Sequence, residues 1–103
     1  MLVTASSAAE AQRIGRALLD ERRAACVNII PHVASAYWWQ GKVESATEAL
    51  LIVKTTAAQL ESVITLVRHL HSYQVPEIIA LPIVGGNPEY LAWIARETGP
   101  KGA

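Results

Sequence analysis

The hydrophobic positions change period as the chain runs. Leu2 to Ala5 is short and largely apolar and predicts a strand. Ala11, Ile14, Leu18 and Leu19 then recur at helical spacing. Ser7-Ala8-Ala9-Glu10 ahead of them fits a capping box: the serine oxygen takes the Glu10 amide and the glutamate reaches back. A first helix is therefore predicted over 7–22, with Arg22 and Arg23 near its negative end. Cys26 to Ile30 is strand-like, and Pro31, which has no N–H to give a ladder, predicts an edge or a bulge there. Ala36-Tyr37-Trp38-Trp39 resumes the strand with aromatic β-formers. Gln40-Gly41 is a two-residue tip whose glycine suits a positive φ, so a hairpin returns through Lys42-Val43-Glu44 to a strand ending in Ala49–Lys54.

Thr56-Ala57-Ala58-Gln59 is a second capping-box pattern, followed by Leu60, Val63, Ile64, Val67 and Leu70 on one face of a helix ending near His71. Ile78 to Val84 predicts a fourth strand, with Pro82 placed where its missing N–H is not needed. Asn87 and Pro88 have the residue types of a helix cap and a first helical position, and Gly99-Pro100 ends that third helix.

The order β-α-β-β-α-β plus a terminal helix predicts an α+β fold. It is the ferredoxin-like antiparallel sheet with both long helices on one face, in a single domain over residues 1–103. Such a sheet should alternate apolar and polar residues, but Leu50–Val53 and Ile78–Val84 are nearly continuous apolar runs. Both faces are then expected to be buried, and one short helix is too little to cover the second. Another copy of the chain is the expected cover, with Tyr37, Trp38 and Trp39 at the subunit interface.

Composition supports this reading. The chain is 51% hydrophobic, high for 103 residues that can bury only a modest share of their surface. Lys+Arg and Asp+Glu are 9 each, which argues against an electrostatic grip on nucleic acid or an acidic membrane. No apolar run is long enough to span a bilayer, and Met1 leads directly into Leu2-Val3, so no targeting leader is expected. A lone cysteine, Cys26, excludes an internal disulfide and a C-x-x-C metallochaperone pair. It reads as a small hydrophobe rather than a working thiol. A cytoplasmic protein is the expectation.

Candidate chemistry is sparse. Gly85-Gly86 opens into Asn87-Pro88 and reads as a turn rather than a phosphate loop, and no serine or cysteine sits in a nucleophile motif. The first and third strands lack the aromatic residues of an RNA-recognition sheet. Lys54, Tyr73 and Glu77 would line a polar cleft between subunits suited to a small anion; a structural ion pair between Lys54 and Glu77 is the competing reading.

The segments RRAACVNIIP, YWWQGKVE, LLIVKTT and H-x-Y-x-x-PEIIALPI-x-GGNPEYLAWI together resemble the CutA divalent-cation tolerance family, from Met1 to about Thr98. The resemblance implies a ferredoxin-like fold in a compact homotrimer, with sheets packed around an axis and hairpin strands paired between subunits. It implies copper or another divalent metal as cofactor, held at low affinity, and no catalysis. His71 and Glu77 stand at the family's metal-side positions, an imidazole and a carboxylate able to take Cu(II) or Zn(II). The structural alternatives are a helix C-terminal cation for His71 and a rim charge for Glu77. Where some relatives carry a first-strand cysteine, this chain has Val3-Thr4-Ala5. The commoner His-Pro-Tyr is His71-Ser72-Tyr73, and His32 follows Pro31 where relatives often have a small residue. The alternative function is a trimeric sensor or scaffold that binds a metabolite in the intersubunit cleft; an enzyme using Glu77 and His71 as acid and base is a third.

Overall fold

The computed structural model describes residues 1–100. Strand β1 (Leu2–Ala5) feeds helix α1 (Ala8–Asp20), whose N-cap Ser7 accepts the Glu10 N–H at 3.1 Å. The glutamate half of the predicted capping box is displaced by one residue: its carboxylate takes the Ser6 N–H at 2.9 Å rather than that of the cap. The helix stops at Asp20, and the next turn is a Schellman closure. Arg22 N–H bonds to the Leu19 carbonyl at 3.1 Å and Arg23 N–H to that of Leu18 at 2.9 Å. Arg22 sits at the left-handed position with φ 58, where glycine is usual. The residue is tied on two sides: its Nη1 holds Glu97 at 2.7 Å and its backbone carbonyl accepts the Gly99 N–H at 2.9 Å.

Strands β2 (Cys26–Trp39) and β3 (Lys42–Lys54) form the long hairpin. Its tip, Gln40 at φ 51 and Gly41 at φ 79, has both central residues positive, the geometry whose twist matches paired strands. Ile30 pairs with Leu50 but Val33 pairs with Glu48, so Pro31 and His32 form the bulge that the proline predicts. The second capping box does not form. Thr56 makes no side-chain cap; Gln59 N–H bonds to the Thr56 carbonyl at 3.0 Å, giving a 3₁₀ turn over Ala57–Gln59 before helix α2 (Leu60–Leu70).

Strand β4 is Ile78–Ile79, far shorter than the predicted 78–84. The register gives the reason. Ile78 pairs with Val3 and Ile79 with Leu2, the first residue of β1, so Ala80 onward has no residue of β1 opposite it. Helix α3 (Pro88–Glu97) follows, capped as predicted by Asn87 Oδ1, which accepts the Glu89 N–H at 3.1 Å.

The sheet runs β2-β3-β1-β4, antiparallel throughout. Its helix-covered face carries the core: Val3, Ile14, Leu18, Leu51, Val53, Val63 and Val67 are the largest fully buried side chains. Each such burial is worth roughly 1.5–3 kcal/mol. A Cβ on Gly15 would approach Val27 Cγ1 to 3.2 Å, so the glycine lets α1 lie close on the hairpin. The opposite face carries Leu2, Ile30, Leu50, Ile52 and Ile79 by strand alternation. In the single chain this face is only partly covered: Ile30 and Ile79 are exposed, and so are Leu81, Ile83 and Val84 beyond them. No helix among the described residues is long and apolar enough to cross a membrane.

Candidate functional site

Polar side chains converge where β1 ends, α1 begins and α2 stops. Glu10 lies in the first turn of α1 and is 3% exposed. Its Oε1 accepts the Ser6 amide at 2.9 Å and the Ser6 hydroxyl at 3.0 Å; its Oε2 accepts the Ser72 amide at 2.9 Å, and Arg13 stands 3.9 Å away. Burial pushes its pKa up, but the bonds from Ser6 and Ser72 outweigh burial and hold it down at about 2.

His71 caps α2 and is 9% exposed. Its Nδ1 accepts the Tyr73 amide at 3.0 Å, and a backbone amide only donates, so that nitrogen is unprotonated. Its Nε2 therefore carries the hydrogen and donates to the Thr4 carbonyl at 2.7 Å. The Tyr73 ring packs at 4.8 Å from the imidazole, and its hydroxyl donates to Glu48 Oε2 at 2.9 Å. Burial, then the Glu48 carboxylate, pushes the phenol up to about 12. Glu48 is itself buried, on β3 just past the bulge. Three bonds thus sew the loop after α2 to the rest of the fold: His71 to Thr4 on β1 and Tyr73 to Glu48 on β3 tie it to the sheet, and Ser72 to Glu10 ties it to α1.

The candidates from the sequence separate into groups. His71 and Tyr73 come together. His71 is a neutral tie between two backbone segments rather than a cation facing the carbonyls that end α2. Glu77 is exposed on the loop immediately before β4. Lys54 ends β3, paired with Cys26, and its ammonium combines with burial to push the Met1 amine below its ordinary 8.0, burial being the larger cause. Six residues of strand, about 20 Å, separate Lys54 from Glu48 and hence from the Tyr73 hydroxyl. Within one chain Lys54 and Tyr73 do not share a cleft, and the four ion pairs among the described residues include none between Glu77 and Lys54. Tyr37, Trp38 and Trp39 lie exposed on the hairpin arm, Trp38 at 76%. Cys26 is half-buried beside Tyr90, whose phenol is raised by burial and by that thiol.

A metal fits this donor set poorly. Both His71 nitrogens are spent on backbone partners, so ligation would break one of those bonds. No three His, Cys, Asp or Glu side chains among the described residues are grouped to hold an ion. Glu10 and Glu48, the buried carboxylates of the cluster, were not singled out from the sequence as site residues. Glu10 showed only its capping role there, and its Ser72 partner lies 62 residues away.

Comparison with known proteins matches this architecture. Residues 1–97 match the family model described as CutA1 divalent ion tolerance protein. The "Divalent-cation tolerance protein CutA" of Thermus thermophilus is 50% identical over 96% of both chains. "Protein CutA" of Mus musculus is 43% identical over 93% of this chain, which spans 54% of that longer protein. The solved Thermus thermophilus structure superposes with a TM-score of 0.93 at 50% identity, covering 95% of each chain. That of the Archaeoglobus fulgidus protein, described as periplasmic, gives 0.88 at 46% identity over 90% of each. The matched region takes in both the hairpin and the loop sewn to the sheet, and the chain belongs to the CutA1 divalent-ion tolerance family.

Proposed function

We propose that the chain works as a homotrimer in tolerance of divalent cations, copper foremost, binding the ion weakly and without catalysis, in the cytoplasm. The βαββαβ order and the β2-β3-β1-β4 sheet support the ferredoxin-like class that such an assembly requires. One observation carries the assembly: Leu81, Ile83 and Val84 are exposed, Val84 at 97%, in a segment that has run out of partner on β1. An apolar stretch with free ladder groups is an edge that another copy completes. Because His71 is engaged, the cation falls to Glu77 together with groups from a neighbouring subunit.

Light scattering tests the assembly and calorimetry the metal. The expected mass is three times the 11.1 kDa chain, and a single-chain mass overturns the trimer. Cu(II) heats should fall in Glu77→Ala, and heats unchanged in that variant overturn the metal reading. The engaged state of His71 favours a second reading, a trimeric scaffold that binds a metabolite in a cleft taking Lys54 from one subunit and Tyr73 from the next. Stabilisation by a carboxylate ligand, indifferent to EDTA, supports that reading over the first.

A further inference from the structure

Two hollows, of about 700 and 380 Å³, adjoin between the C-terminal end of α1 and the start of α2, with Arg23 and Ser62 lining both. They lie at the far end of α1 from Glu10, about 15 Å along the helix. Most of the charge there is already matched. Asp20 is held by Arg16 at 2.8 Å and Arg22 holds Glu97 at 2.7 Å. Arg23 is paired more loosely, with Glu21. Its Nη2 stands 3.7 Å from Glu21, too far for a hydrogen bond, and its Nε is buried with no partner among the described residues.

The backbone of Arg23 is hydrogen-bonded while its guanidinium is not. The residue's N–H bonds to the Leu18 carbonyl and its own carbonyl accepts the Thr55 hydroxyl at 2.6 Å, but the guanidinium makes no hydrogen bond among the described residues. A shielded N–H without an acceptor is costly, which favours any turn of the side chain that gives it one. The Gln59 amide and Ser62 hydroxyl line the same hollow as neutral donors. A guanidinium fork matches a planar carboxylate through two parallel bonds. Glu21 and Glu61 on the walls repel a multiply charged anion and attract an ammonium.

We propose that this hollow binds a small molecule bearing one carboxylate, held by the Arg23 guanidinium once it turns Nε–H into the space, with Gln59 and Ser62 donating beside it. An amino group on the same molecule would face Glu21 and Glu61. The site is independent of the proposed metal and trimer roles.

The test follows the arginine Nε–H resonances of the ¹⁵N-labelled full chain while acetate, glycine or inorganic phosphate is added. The Arg23 signal should move saturably with acetate and glycine, more strongly with glycine, and less with phosphate. Arg23→Lys, which keeps the charge and loses the fork, should weaken the accompanying Ser62 and Gln59 amide shifts about tenfold. Ser62→Ala, which leaves Arg23 in place, should weaken binding about threefold. No saturable movement with any of the three overturns the site. Unchanged affinity in both variants does the same, and phosphate binding tighter than either carboxylate overturns the ligand class.

Discussion

Strand β3 passes through two environments. From Ala49 to Ile52 it lies between β1 and β2, with Ala49, Leu51 and the adjoining Val53 sealed beneath the helices. From Lys42 to Thr47 it pairs with β2 alone, and its neighbours across the ladder include Trp38 and Tyr37, both open to solvent. The same backbone pattern therefore rests on different supports. The base is held by apolar burial. The arm has only its ladder and its cross-strand pairs, and a two-stranded ribbon is marginal in water. Large aromatic side chains on so weakly supported a ribbon are what the proposed neighbouring subunit would cover.

The largest effect expected is at the base. Leu51→Ala should cost about 2–5 kcal/mol in denaturant unfolding, because it opens a cavity among side chains that cannot all relax. A loss below about 1 kcal/mol would mean the base is no better packed than the arm.

The junction comes next. Glu10→Gln should cost about 1–3 kcal/mol by leaving the Ser6 and Ser72 donors poorly matched. It also carries a pH signature. The folded pKa, about 2, lies below the ordinary 4.5, so the stabilisation is complete above 4.5 and drains away as pH falls toward 2. Wild type should lose stability across that window and the Gln variant should lose less; parallel pH profiles would remove Glu10 from the account.

The smallest expected effect is on the arm. Trp38→Ala should leave hydrogen-exchange protection of the Leu51 and Val53 amides within about 0.5 kcal/mol, while the mass in light scattering falls. A loss of protection as large as that of Leu51→Ala would show that the arm supports the base and erase the distinction.

What the sequence disclosed follows the range of each interaction. The helical spacing of Ile14 and Leu18, the Gln40-Gly41 tip, the Pro31 bulge and the Asn87 cap are set within a few residues, and each appears where the pattern placed it. The β-prone residues of 78–84 predict a longer strand than forms because they report a preference, whereas a strand needs a paired neighbour and β1 pairs only Ile78 and Ile79. The polar cluster was half visible. His71 and Tyr73 stand out in the sequence, but their partners Thr4 and Glu48 lie 67 and 25 residues away, beyond any local motif. The same distance hid the Ser72 amide that helps make Glu10 so acidic. The second capping-box pattern has no cap behind it because the backbone carbonyl of Thr56, not its hydroxyl, accepts the Gln59 N–H.

The extra residue at Pro31–His32 lets two alignment rules coexist in one hairpin. Counting outward from the Gln40-Gly41 tip assigns one phase to the strands, and counting inward from the packed rows of the core assigns another. The bulge is the slack that reconciles them. Lengthening or shortening the tip by a single residue would therefore be felt at the base, unless the slack changed by the same amount.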